Sequence, residues 1–78
     1  MMPQQMDFPS LAFPKDRTVL YAHEVAMKLR CDVGHVYDLI DEGKLRAINI
    51  AGGNNFTERR FVRIPVEAWN DFIRENTI

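Results

Sequence analysis

Ten residues decide the fold of this chain: Val36-Tyr37-Asp38-Leu39-Ile40-Asp41-Glu42-Gly43-Lys44-Leu45. Val36, Leu39 and Ile40 recur at helical spacing, which predicts one apolar face of a short helix. Gly43 stands where a helix commonly ends in the left-handed conformation. Basic and β-branched residues begin at Lys44, so we expect this helix to lead directly into a basic strand.

A shorter helix precedes this one. Val25 and Leu29 fall four residues apart with small alanines beside them, which predicts a helix over residues 22–30 with a narrow apolar stripe. Cys31 then breaks the pattern, and Asp32 is a good N-cap for the second helix, over residues 33–42. Two short helices joined by so tight a turn form a helix-turn-helix.

Two strands and a third helix are expected next. Residues 45–50 and 60–64 alternate polar residues with Ile, Val and Phe, and the run GGNN at 52–55 tolerates positive φ. We therefore predict a two-stranded hairpin with a long tip. Pro65 is placed to open a final helix with helically spaced aromatic and apolar residues. The predicted fold class is α+β, in the order helix-helix-strand-strand-helix around one core.

An extended N-terminal arm is expected over residues 1–17, ahead of a single domain over residues 18–78. Three of the four prolines lie in this first segment, and it has no apolar periodicity. Its large apolar residues would either lie against the outer surface of the domain or bind a partner, and we favour the first interpretation. These residues are Phe8, Leu11 and Phe13.

Length and composition argue against an enzyme. A chain of 78 residues can form only one small core, which leaves no room for a buried catalytic cavity. Cys31 is the only cysteine, so no disulfide framework is expected and a reduced, cytoplasmic protein is the natural interpretation. No segment has the pattern of an export signal or the length of a membrane span.

No metal site or cofactor is expected. The two histidines and one cysteine, His23, Cys31 and His35, lack the paired spacing of structural zinc ligands. Gly52 and Gly53 have neither the following Gly-Lys-Ser/Thr nor the strand-to-helix context of a phosphate loop, so they are interpreted as a turn.

Charge is strongly segregated along the chain, although the total is only −1. Residues 44–63 carry five basic residues and one glutamate, which leaves +4. Residues 32–42 carry four acidic residues and no lysine or arginine, which leaves −4. We therefore expect a basic hairpin beside an acidic helix, and this local arrangement matters more to a contact than the total.

From Leu20 to about residue 74 the sequence resembles the excisionase-like, MerR-related winged helix-turn-helix DNA-binding domains. Three motifs carry the resemblance. They are Glu24-Val25-Ala26 in the first helix, the run VYDLIDEGKL at 36–45, and Arg63-Ile64-Pro65 followed by Trp69.

The resemblance implies a non-enzymatic protein that binds double-stranded DNA, with the second helix in the major groove and the hairpin as a wing on the neighbouring backbone or minor groove. Some members of the family are recombination directionality factors that act with a tyrosine integrase, and others are small transcriptional regulators of mobile elements. The family role also implies cooperative self-association on adjacent DNA sites.

The expected contacts from the second helix depart from the family pattern, which usually places Ser, Arg and Thr there. An aspartate about 5 Å from a phosphate costs on the order of 1 to 3 kcal/mol, so this helix cannot supply most of the affinity. Asp38 would either accept a hydrogen bond from a cytosine amino group or belong to a solvated acidic face, and both interpretations stay open. The candidate residues are Val33, Gly34, His35, Tyr37 and Asp38.

Affinity is expected to come from the hairpin, whose cations and amides suit phosphate and minor-groove acceptors. Arg59, Arg60 and Arg63 are expected to alternate sides along the second strand. The alternative is a protein-interaction adaptor that keeps the fold and uses the arm and the acidic helix as contact surfaces. The candidate residues of the hairpin and its flanks are Lys44, Arg46, Asn54, Asn55, Arg59, Arg60 and Arg63.

Overall fold

The computed structural model describes residues 11–78, which form a small α+β domain of three helices and a three-stranded antiparallel sheet. A short 3₁₀ turn, Arg59–Phe61, precedes the last strand. No helix within residues 11–78 is long and apolar enough to cross a membrane. In chain order the elements are β1 (Val19–Leu20), α1 (Ala22–Leu29), α2 (Val33–Asp41), β2 (Ile48–Asn49), β3 (Val62–Pro65) and α3 (Val66–Asn76).

The N-cap of helix α1 is Tyr21, whose backbone N–H donates to the Glu24 carboxylate at 2.8 Å. The same carboxylate accepts a hydrogen bond from the Arg17 guanidinium at 2.6 Å. This bond from Arg17 holds the pKa of Glu24 below its ordinary value; partial burial opposes the shift, and the bond from Tyr21 adds to it. The start of α1 is therefore fixed by a short electrostatic network as well as by buried alanines and Val25.

Helix α1 ends at Arg30, a residue type that does not usually mark the end of a helix. Arg30 has a φ of 58°, the only positive φ outside glycine among residues 11–78. Its neighbour Cys31 donates its backbone N–H to the Ala26 carbonyl at 3.0 Å, which satisfies a carbonyl of the last turn. The predicted helix over 22–30 is thus confirmed to within one residue, and Arg30 adopts the left-handed conformation that usually favours glycine.

Helix α2 confirms the prediction made from the apolar spacing, and it ends one residue earlier than expected. Val36, Leu39 and Ile40 are all buried. Gly43 has a φ of +77°, and the Lys44 N–H donates to the Leu39 carbonyl at 2.9 Å. The glycine therefore closes α2 as its position predicted.

Asp32 occupies the N-cap position of α2 with extended backbone, but its carboxylate makes no capping bond. Its backbone carbonyl instead accepts the His35 N–H at 3.0 Å. Asp32 therefore starts the helix through its backbone conformation, and its charge faces solvent.

The sheet has the order β1-β3-β2 with β3 in the centre. Val19 lies opposite Pro65, and Ile48 lies opposite Arg63. The strand β1 was not predicted, because two residues are too short to show an alternating pattern. The predicted order therefore lacked a strand in front of α1.

The predicted strands over 45–50 and 60–64 were wrong in extent. The N–H groups of Lys44 and Leu45 both point back to the Leu39 carbonyl, so the first strand cannot begin there. At the start of the second predicted strand, the Phe61 N–H donates to the Glu58 carbonyl at 3.0 Å and forms the 3₁₀ turn, so β3 begins only at Val62. Pro65 ends β3 and serves as the N-cap of α3, so the last helix begins at Val66.

The core is formed by apolar residues of the three helices and of the strands β1 and β3, together with Leu45. Trp69 is 1% exposed, and its indole N–H donates to the Leu11 carbonyl at 2.9 Å. Phe13 packs edge-on against the same ring, with centroids 6.0 Å apart. Leu11 and Phe13 therefore lie on the domain as expected, whereas Phe8 lies outside the described residues. The buried residues are Leu20, Ala22, Val25, Ala26, Val36, Leu39, Ile40, Leu45, Val62, Ile64, Ala68 and Trp69.

Candidate nucleic-acid interface

The exposed face of α2 consists of the residues that the apolar stripe leaves outside. Val33, Gly34, His35 and Asp38 are all exposed, and Tyr37 is half-buried. No Cβ placed on Gly34 would meet another atom within 4 Å, so the N-terminal half of this face is open. The helix thus presents small, polar and acidic groups to solvent, with no lysine or arginine among them.

Lys44 and Arg46 follow α2 and are highly exposed. The side chains are 67% and 66% exposed respectively. Lys44 Nζ lies 3.3 Å from the Glu42 carboxylate, and the Arg46 guanidinium donates to Asp71 of α3 at 2.7 Å. Both cations therefore have an intramolecular partner at the protein surface.

Arg60 and Arg63 differ from the sequence-based expectation that the three arginines alternate along one strand. Arg60 lies in the 3₁₀ turn, is 77% exposed and pairs with the Glu58 carboxylate at 3.5 Å. Arg63 lies in β3, where its guanidinium donates to the Arg60 carbonyl at 2.8 Å and stacks 4.4 Å from the centre of the Tyr21 ring. The alternation is wrong because the turn over 59–61 interrupts the extended backbone.

Arg59 makes more contacts than Lys44, Arg46 or Arg60. Its side chain is 38% exposed, and its guanidinium lies 4.2 Å from the centre of the Tyr37 ring. It donates to the Asp41 carboxylate at 3.2 Å and to the Phe56 carbonyl at 2.9 Å. Arg59 therefore connects the hairpin to one face of α2.

The hairpin tip contains two asparagines, Asn54 and Asn55. Both Asn54 and Asn55 are exposed. The Asn55 side-chain oxygen accepts the Thr57 N–H at 2.9 Å, and its carbonyl accepts from Asn49 at 2.6 Å. Asn55 thus shapes the turn, and positive φ in the tip belongs to Gly52 and Gly53.

All five hairpin cations have a partner within the described part of the chain, and carboxylates partly neutralise the charges of Lys44, Arg46, Arg59 and Arg60. Exposed ion pairs contribute only about 0 to 1 kcal/mol each, so a phosphate can replace a carboxylate at little cost. This exchange is open to Lys44, Arg46 and Arg60, which are largely exposed. Arg59 would lose an ion pair, a carbonyl bond and a stacking contact together.

The outer face of the sheet is a further surface that sequence reasoning missed. Val19 in β1, Tyr21 directly after β1 and Ile48 in β2 are 37%, 46% and 42% exposed, and Arg63 lies in β3 between these two strands. The missed signal is the register, because only the pairing of β1 and β2 with β3 brings these residues onto one surface.

Among residues 11–78 no three His, Cys, Asp or Glu residues are grouped so that they would hold a metal ion. Cys31 is half-buried against the core, and His23 stacks on Tyr21 with ring centroids 5.4 Å apart.

Comparisons with protein-family models, with curated proteins and with solved structures find no match to this chain. The functional interpretation therefore depends on the geometry of α2 and the hairpin, together with the motifs at 24–26, 36–45 and 63–69.

Proposed function

We propose that this protein is a sequence-specific binder of double-stranded DNA with a winged helix-turn-helix fold. In this proposal α2 enters the major groove and the hairpin contacts the adjacent backbone as a wing. The observation that carries it is the exposed face of α2 together with three highly exposed cations that follow α2 or lie in the 3₁₀ turn, Lys44, Arg46 and Arg60.

The dimensions of α2 suit this role. Nine residues make a helix about 14 Å long, and a helix about 10 Å wide fits a major groove about 12 Å across. Gly34 and His35 lie in its first turns, where small and polar side chains allow a close approach to base edges. The acidic residues toward the other end of α2 repel phosphates. In this proposal α2 therefore contributes to base recognition more than to affinity.

The hairpin supplies the affinity in this proposal. Each cation that exchanges its carboxylate for a phosphate releases a condensed counterion, which makes binding strongly dependent on salt. Three such exchanges predict a log–log slope of roughly −3 for affinity against salt concentration.

The test is a titration of a labelled mixed-sequence duplex at several salt concentrations. The double variant Lys44→Gln, Arg60→Gln should weaken binding and reduce the slope to about −1. The matched control Lys15→Gln, Lys28→Gln removes the same charge outside the hairpin and should keep the slope of the wild type. Equal slopes for the two double variants would contradict the proposal.

The motifs at 24–26, 36–45 and 63–69 favour two biological roles, excision control with a tyrosine integrase or transcriptional regulation of a mobile element, both in the cytoplasm. In either role monomers of this size would gain specificity by binding adjacent sites cooperatively. Footprinting of a natural target is expected to show neighbouring protected sites, and a single isolated site would count against cooperation.

A second candidate is a protein-interaction adaptor with the same fold. The internal partners of all five hairpin cations and the exposed apolar face of β1 and β2 favour it. Folded protein that binds no duplex even at about 25 mM salt, where electrostatic attraction is strongest, would favour the adaptor over the DNA binder.

A further inference from the structure

We propose that Arg59 is a positioning residue that fixes the hairpin against α2, with Asp41 as its counter-ion. Under the proposed DNA-binding function, Asp41 then favours DNA binding through Arg59, although its own charge repels phosphate. This inference reverses the role that charge alone predicts for both residues.

The contacts of Arg59 join three parts of the molecule. Its guanidinium meets the Asp41 carboxylate at 3.2 and 3.5 Å, which connects two elements separated by 18 residues in sequence. The ring of Tyr37, one turn earlier on α2, lies 4.2 Å from the guanidinium carbon. The bond to the Phe56 carbonyl at 2.9 Å adds the loop before the 3₁₀ turn.

The chemistry of these contacts requires arginine. Two guanidinium nitrogens meet the two carboxylate oxygens while a third contact reaches a carbonyl and the plane lies over an aromatic ring. A lysine ammonium keeps the charge but has neither the fork nor the flat surface. A residue used only for its charge on a phosphate would tolerate lysine at this position.

Exposure separates Arg59 from the cations that are free to exchange partners. Its side chain is 38% exposed, about half the value of 77% for its neighbour Arg60. Neutralisation of Asp41 also removes a negative charge at the end of α2 that would face incoming DNA. The consequence is a hairpin set at one distance from α2, so that its cations reach phosphates without a search over hairpin orientations.

The experiment is a double-variant cycle of Arg59→Gln and Asp41→Asn, measured as affinity for a mixed-sequence 30-base-pair duplex. When Arg59 is present, Asp41→Asn is expected to weaken binding about three- to tenfold. In the Arg59→Gln background the same change is expected to leave binding equal or tighter, because it then removes only an unpaired negative charge. Glu67→Gln, at an exposed carboxylate in the first turn of α3, is the matched control and should not weaken binding.

Two further readouts separate positioning from a phosphate contact. Arg59→Lys is expected to bind as weakly as Arg59→Gln, and neither variant should change the salt slope, because the number of phosphates contacted is the same. A direct phosphate contact predicts rescue by lysine and a slope about 0.9 smaller for Arg59→Gln. Tighter binding by Asp41→Asn in the wild type, or rescue by Arg59→Lys, would overturn the proposal.

Failure of the proposed function can be distinguished from failure of this inference. Absence of duplex binding by the wild type would overturn the DNA-binding function and the binding role of Arg59 with it. The contact itself is measured separately, by the coupling of Arg59→Gln and Asp41→Asn in urea unfolding. Additive effects on unfolding would show that the two residues are uncoupled and would overturn the inference even if DNA binds.

Discussion

Two glycines, Gly34 within α2 and Gly43 after it, differ in backbone conformation: only Gly43 has a positive φ. Gly43 has a φ of +77°, whereas Gly34 lies inside the helix, and an added Cβ meets no atom within 4 Å at either position. We expect Gly43→Ala to lower the free energy of unfolding by about 1 kcal/mol through backbone strain. Gly34→Ala should raise it by roughly 0.5 to 1 kcal/mol through helix propensity. Urea denaturation measures both, and effects of the same sign would contradict this prediction.

Glu24 predicts a pH dependence of stability. The hydrogen bond from Arg17 lowers the pKa of this carboxyl in the folded state, so its contribution is complete above the pKa of the unfolded chain. The contribution is lost as pH falls below about 5 and through the folded pKa. Thermal unfolding from pH 7 to 3 should therefore show a smaller acid loss in Glu24→Gln than in the wild type.

A matched control for this titration is Glu67→Gln in the first turn of α3, where the side chain is exposed. This variant should lose stability toward acid in parallel with the wild type. If Glu24→Gln follows the same curve, the bond from Arg17 does not contribute to stability above pH 5.

At the scale of elements, the arm residue Phe13 belongs to the fold. Its ring packs on Trp69 and lies 5.0 Å from the Lys28 ammonium. Phe13→Ala is therefore expected to lower the free energy of unfolding by about 1 to 3 kcal/mol, because a partly buried aromatic contact is lost. Lys15→Ala, at an exposed position two residues later, should change it by less than about 0.5 kcal/mol.

Duplex affinity of the Phe13→Ala variant completes this test. If the arm only covers the core, folded Phe13→Ala protein binds DNA like the wild type. A loss of affinity without a loss of stability would show instead that Phe13 contacts a partner.

Helices were more predictable than strands, and the reason is physical. The stripe of Val36, Leu39 and Ile40 repeats within one local turn, so α2 is visible in the sequence. The strands β1 and β2 have two residues each and depend on pairing with β3, which is distant in sequence. Local periodicity cannot show such pairing, and the same limit hid the turn that moves Arg59 and Arg60 out of the strand.

At the scale of the molecule, the candidate site was only partly predictable for a similar reason. Charge segregation correctly placed acidic residues on α2 and basic residues in the hairpin. The partner of each cation depends on tertiary structure, as in the contact between Arg46 and Asp71, 25 residues apart. Tyr37 and Asp41 share one helix face at i and i+4, which was the available signal that a cation would lie across them.

The single core predicts that the domain unfolds as one unit. Leu45 is 1% exposed and lies between α2 and β2, in the same cluster as Trp69 of α3. A stability of about 4 to 12 kcal/mol is typical of a chain of this length. Leu45→Ala should remove about 2 to 4 kcal/mol, and Leu45→Val a smaller part, which keeps a folded variant measurable.

Trp69 fluorescence and helical circular dichroism should give one common midpoint in each protein, and both should shift together in the variants. If helical signal were lost while the Trp69 signal stayed native, the α2–hairpin region would unfold separately from α3. In that case the hairpin would not be held by the core, and Arg59 would be its main attachment to α2.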